Sequence, residues 1–162
     1  MMTQLKSMLR RPLMLLGSLA VLASIPPAIA QSANFEGITL SATQASSASV
    51  DGRIVGSFSL ANIAGSDANG NLCAGFADTN PDHILTLESD FSSLTISVDS
   101  GKDTTLLIQG PNDNTIRCGQ DISRSDLDAQ VVGEGWAAGS YRIWVGAHEQ
   151  GQRFSYTLTV EE

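Results

Sequence analysis

An antiparallel β-sandwich or barrel of about eight or nine short strands is the expected architecture of this chain. Apolar residues recur at every second position in several short runs, the mark of strands with one buried face. Clusters of Gly, Pro, Asn and Asp separate those runs, and such residues preset or tolerate the dihedrals of tight turns. Charged residues make up only 16% of the chain, so the Glu, Lys and Arg that favour helices are scarce.

The first 30 residues stand apart. Lys6, Arg10 and Arg11 form a positive start, residues 13–25 are apolar, and Ala28-Ile29-Ala30 is a small-residue cleavage signal. The expected leader is therefore a helical signal peptide over 1–30, cleaved between Ala30 and Gln31, with 31–162 as one mature domain. The apolar run is too short to span a bilayer comfortably and ends at Pro26-Pro27. Arg10-Arg11 has the outline of a twin-arginine signal, but no Ser or Thr precedes the pair, which favours Sec export. No later stretch is apolar enough to anchor the chain, so no membrane span is expected after cleavage, and the destination is the periplasm or the medium.

Within the mature part, 31–34 reads as a lead-in and 35–41 as an edge strand carrying Ile38 and Leu40. Residues 42–50, rich in Ser and Ala, read as a loop. Residues 53–61 alternate Ile54, Gly56, Phe58 and Leu60 and read as a strand. A turn-rich loop at 64–71 leads to Cys73, and 83–89 is the next strand. The central stretch 94–121 holds three strands, at 94–99, 104–109 and 115–118, joined as two consecutive hairpins. Residues 119–128 read as an acidic loop, 130–132 as a short strand and 133–139 as a bend holding Trp136. The strand 141–146 sets Tyr141, Ile143 and Val145 opposite Arg142 and Trp144. The last, 154–160, turns Phe154, Tyr156, Leu158 and Val160 inward. Leu106 and Ile108 are expected in the core, facing Tyr141, Ile143 and Val145.

Charge and cysteine count bound the chemistry. Beyond the leader, 6 basic residues face 17 acidic ones, a charge of −11. Such a surface repels phosphate, which excludes nucleic acid as a natural partner. Cys73 and Cys118 are the two cysteines, and an even pair in an exported domain points to a disulfide.

The runs Asp103-Thr104-Thr105-Leu106-Leu107-Ile108-Gln109-Gly110-Pro111, Gly139-Ser140-Tyr141-Arg142-Ile143-Trp144-Val145 and Tyr156-Thr157-Leu158-Thr159-Val160 resemble the bacterial pre-peptidase C-terminal domain. The similarity covers about residues 82–160. It implies a jelly-roll-like β-sandwich that accompanies secreted peptidases and is itself non-catalytic. The whole mature chain resembles small exported bacterial proteins that carry this domain alone and have no assigned activity. Those relatives show Cys-Asn-Asp-Asp where this chain has Cys118-Gly119-Gln120-Asp121, one carboxylate fewer.

Catalytic patterns are missing. There is no Gly-x-Ser-x-Gly elbow, and His148-Glu149 lacks the second histidine of a zinc helix. Calcium is the most chemical option, because hard cations take several carboxylate and carbonyl oxygens from flexible loops. One candidate set is Asp67, Asn69 and Asn71; the other is Asp121, Asp126 and Asp128, joined by Asp99 or Asp103. Turn formation by the same Asp and Asn residues is the competing account. Trp136 and Trp144 are candidates for stacking a sugar, or alternatively supply core area. Two function classes follow. One is a non-catalytic exported binding or accessory module acting on protein or cell-envelope glycan. The other is a small structural or interaction protein of the periplasm, rigidified by calcium.

Overall fold

Alternating sequence becomes strand here wherever a buried face is on offer. The computed structural model describes residues 32–43 and 47–162; the expected leader and its cleavage point lie outside them. Eleven strands follow in order: β1 (Ile38–Leu40), β2 (Ser47–Arg53), β3 (Phe58–Ser59), β4 (Phe76–Ala77), β5 (His83–Leu87), β6 (Phe91–Asp99), β7 (Thr104–Gln109), β8 (Ile116–Ser123), β9 (Asp126–Trp136), β10 (Gly139–Ala147) and β11 (Ser155–Glu161), with one 3-10 turn at Leu60–Asn62.

Hydrogen-bonded order runs β1-β5-β10-β7-β8-β9-β6-β11-β2, and the short β4 joins β10 while β3 pairs with β4. β1 is parallel to β5; the remaining pairs are antiparallel. β8 belongs to both sheets. Its first half pairs with β7 and its second half with β9. The all-β sandwich expected from the sequence is the fold observed.

The main core fills the space between the sheets. Ile38, Leu85, Ile108, Ile143 and Val145 come from one side, and Leu94, Ile96, Val131, Leu158 and Val160 from the other. A second, smaller cluster lies on the outer face of β7, β8 and β10, where Leu107, Cys118 and Trp144 are covered by Leu60, Cys73 and Ala77. This cover explains why every residue from Thr104 to Ile108 is buried. β7 is sandwiched on both faces.

Four sequence expectations need correction. Residues 47–50, expected within a loop, belong to β2, which pairs with β11 along its whole length. Its solvent face is Ser, Ser, Asp and Arg, and Ala48 and Val50 are only half-buried against the core, so alternation is faint. The strand expected at 53–61 is broken. Gly56 has φ +107, and a Cβ there would lie 2.3 Å from the Ala77 carbonyl oxygen, so the chain bends before the two-residue β3. Residues 94–99 and 104–109 are not a hairpin, because β6 pairs with β9 and β11 while β7 pairs with β10 and β8. The Ser100-Gly101-Lys102 turn carries the chain from one sheet to the other. Finally, the acidic loop expected at 119–128 is mostly strand: the end of β8, a tight turn at Arg124-Ser125, and the start of β9. β9 then absorbs both the short strand at 130–132 and the bend expected around Trp136.

The expected core register holds. Ile108 lies opposite Ile143, and Leu106 opposite Val145; each is at most 1% exposed. Replacing Ile108 by Ala is expected to cost about 2–5 kcal/mol, the range for emptying a buried aliphatic site. Urea unfolding measures it, and a loss near zero would contradict this register.

Candidate functional site

The two candidate calcium loops carry buried aspartates whose oxygens are already engaged. Asp67 accepts from the backbone N–H of Asn69 and of Asn71, each at 2.9 Å, and from the Asn71 amide at 2.9 Å. It also accepts the Cys118 N–H at 3.2 Å. Burial pushes the Asp67 carboxyl up, but these hydrogen bonds from Asn71, Cys118 and Asn69 outweigh it and hold the group below its usual range. Asp128, 5% exposed, accepts from the Ser100 N–H at 2.9 Å, the Ser100 hydroxyl at 2.5 Å, the Gly101 N–H at 2.8 Å and the Thr104 hydroxyl at 3.3 Å. It fixes the turn that changes sheets.

The remaining candidates are regrouped. Asp121 lies with Asp67, Asn69 and Asn71 along one cleft, away from the company the sequence suggested. Asp126 and Asp103 instead line a separate hollow beside Lys102. Asp126 is exposed and accepts the Asp128 N–H at 3.2 Å; Asp103 approaches the exposed His148 ring at 3.9 Å. Among the described residues, no three His, Cys, Asp or Glu side chains are grouped to hold a metal ion. The tryptophans are core residues. Trp136 is 1% and Trp144 4% exposed, so burial denies both a stacking role toward a sugar in solution. Trp136 donates to the Gly133 carbonyl at 2.9 Å, and the Arg117 guanidinium sits 4.1 Å from its ring centre.

Cys73 and Cys118 form the expected disulfide. It ties the cover segment to the first half of β8, at the strand's third residue. The bridge lies in the outer cluster with Leu60, Leu107 and Trp144.

One polar network escaped the sequence reading. Asp82 and His83 are 1% and 0% exposed. Asp82 accepts the Val145 N–H at 2.8 Å, and the Asn34 amide donates to it at 3.4 Å. His83 Nδ1 lies 2.7 Å from the Glu36 carbonyl and Nε2 2.8 Å from the Tyr156 hydroxyl. A carbonyl only accepts, so Nδ1 carries the proton, and the tyrosine donates to Nε2. Burial pushes the Asp82 carboxyl up to about 7, against the Val145 and Asn34 hydrogen bonds and with help from Asp78. Burial lowers the His83 pKa, against its bond to Glu36, and raises that of Tyr156, with Asp82 adding to the effect. The network fastens residues 34–36 to β5, β10 and β11. Its only trace in the sequence was Asn80-Pro81-Asp82, which reads as ordinary turn chemistry.

The surface feature that remains runs along β8, β9 and the loop beside them. Among the described residues, the exposed large apolar side chains are Leu72 at 68%, Ile122 at 43%, Leu127 at 41% and Val132 at 70%. Ile122 and Leu127 flank the β8–β9 turn, Val132 lies further along β9, and Leu72 is held to β8 by the Gln120 amide, which donates to its carbonyl at 3.1 Å. Beside them the first half of β8 and the second half of β9 diverge around a cleft of about 510 Å³ lined by residues 67–69, 71, 115–121 and 130–134.

No protein-family model matches the chain, and no curated protein matches it significantly. Solved structures similar to it include the pre-peptidase C-terminal domain of collagenase from Bacillus anthracis, at 15% identity and a TM-score of 0.45, over 78% of this chain and 96% of that one. Another is PliG, a periplasmic inhibitor of g-type lysozyme from Aeromonas hydrophila, at 16% identity and a TM-score of 0.40, over 78% of this chain and 97% of that one. The first belongs to the family that the sequence resembles.

Two outcomes are expected. The folded pKa of Asp82, about 7, lies above its ordinary 3.8, so its contribution to stability is complete below pH 3.8 and is lost as pH rises through about 7. Asp82→Asn should therefore gain on the native protein across that window, and urea titrations of the two proteins at several pH values give the difference free of the shared His83. For calcium, donors already occupy Asp67 and Asp128. At matched ionic strength calcium and magnesium should give the same melting temperature, because screening is then equal. A rise with calcium only would assign a site, and Asp121→Asn against Asp67→Asn would locate it.

Proposed function

We propose that this protein is an exported, non-catalytic module that binds another protein through the β8–β9 hairpin and the disulfide-held loop beside it. The observation that carries this reading is that the exposed large apolar side chains among the described residues, Leu72, Ile122, Leu127 and Val132, all lie on β8, on β9 or on the loop bonded to β8. Isolated exposed apolar residues are ordinary; several along one pair of strands, with Val132 in the wall of a cleft, mark an interaction surface. Gln120, Asp121, Gln130 and Glu134 on the same two strands line the cleft beside Val132, the polar surroundings usual at a docking patch.

A protein is favoured over a glycan because the aromatic side chains that would stack a sugar are inside. Both tryptophans and both tyrosines are buried, which leaves the cleft walls to amides, carboxylates and aliphatic groups. Export is supported by the Cys73–Cys118 bridge, since disulfides persist in oxidising compartments. Among the described residues no helix is long and apolar enough to cross a membrane.

The test is capture from periplasmic and envelope fractions by the native protein and by Val132→Asp. Val132 is 70% exposed, so the variant should melt within a few degrees of the native protein. A protein retained by the native chain and lost with the variant is the expected result. Equal retention by both, or retention that survives protease treatment of the fraction, would move the reading to another surface or to a glycan.

A further inference from the structure

A strand that changes sheets leaves an unpaired edge behind it. From Ile116 to Gly119, β8 is paired only along β7, and from Val131 to Trp136, β9 is paired only along β6. The two strands meet at Gln120 and Gln130 and run together toward their turn. In the other direction they separate, and the cleft described above opens between their facing edges.

Which main-chain groups face that cleft follows from alternation. Backbone N–H and C=O groups of successive residues point to opposite sides of a strand. The Cys118 N–H leaves β7 for the Asp67 carboxylate, so Ile116, two residues earlier, turns its own groups the same way. On the other bank the Glu134 carbonyl accepts from Arg117 at 3.0 Å across the gap, so Val132 turns toward the cleft as well. Side chains thus cap two positions, Cys118 and Glu134. Ile116 faces the Glu134 cap and Val132 the Cys118 cap across the cleft, each with no strand partner on that side among the described residues.

Proteins commonly guard such edges with lysine, proline or a bulge. Residues 130–133 read Gln-Val-Val-Gly, with no lysine or proline, and their ladder with β6 keeps one register. The edge is flanked by charge of one sign instead: Asp121 and Glu134 are exposed on its rim. Arg117, the cation of the cleft, is committed to the Glu134 and Gly135 carbonyls and the face of Trp136.

We propose that an extended, basic segment of a partner protein adds as a strand in this wedge, its main chain pairing with Ile116 or Val132 and its Lys or Arg side chains meeting Asp121 and Glu134. The proposal rests on the reading of this surface as a protein-binding site and specifies how it binds. A strand edge selects an extended peptide over a helix or a sugar, because the backbone itself is the ligand. The field selects a basic one, since residues 32–162 hold 6 basic against 17 acidic side chains. The same charge repels a second copy of this chain.

The probe is a capped decapeptide of alternating Lys and Val, with two controls: the same peptide N-methylated at every second residue, and one of alternating Glu and Val. Binding is followed by fluorescence anisotropy, and amide exchange by NMR on the isotope-labelled protein. The Lys-Val peptide should bind, slow exchange at the Ile116 or Val132 amides, and weaken with added salt, while both controls bind at least about tenfold more weakly. No binding, equal binding of the N-methylated peptide, or protection confined to other strands overturns strand addition. Protection that appears without peptide and grows with protein concentration overturns it in favour of self-association. A captured partner that Val132→Asp loses, but the Lys-Val peptide does not displace, also sinks strand addition while leaving the binding module intact. A partner indifferent to Val132→Asp sinks both.

Discussion

A single strand, β8, has to serve two sheets, and much of the molecule is arranged around that requirement. At the point of transfer Gly119 passes so close to β9 that a Cβ would lie 2.4 Å from the Gln130 carbonyl oxygen. Cys118 stands next to it, and its bridge to Cys73 pins the transfer point to the cover segment. The two cysteines are 45 residues apart in sequence, and closing a loop of that length restricts the unfolded chain by about 4 kcal/mol in the chain-entropy account. The Cys118 N–H, turned away from β7, is supplied with an acceptor by Asp67. Fold, disulfide, aspartate and cleft are thus consequences of the same crossing.

Buried aspartate is the second recurring device. A strand protein must bring its connections past sheet ends where backbone N–H groups lack ladder partners, and an orphaned buried donor is costly. Asp67, Asp82 and Asp128 each collect main-chain donors at such places. The oxygen chemistry that suits a cation suits clustered N–H groups equally well. Oxygen-rich loops in a sequence therefore point to something with positive charge or partial charge, and in this protein the backbone supplies much of it.

Legibility followed hydrophobic contrast. β7, β10 and β11 were readable because Leu106, Ile108, Tyr141, Ile143, Leu158 and Val160 alternate clearly with polar residues or lie in a short apolar run. β2 was hidden because Ser, Ala, Asp and Gly give an edge strand little contrast. The β8–β9 turn was hidden because Asp121, Asp126 and Asp128 resemble a loop, although Ile122 and Leu127 already interrupt it. Apolar residues inside an acidic stretch were the overlooked signal of the candidate site. Partner order in the sheet was beyond reach, since nothing local distinguishes β6 paired to β7 from β6 paired to β9.

The two layers of packing have an optical corollary. Trp136 belongs to the inter-sheet core and Trp144 to the outer cluster that contains the disulfide. The chain has these two indoles and no others, one per layer, so its intrinsic fluorescence is a two-channel record. Lifting the cover segment would wet Trp144 and redden its emission while Trp136, beneath the Arg117 guanidinium, stayed dark to the change.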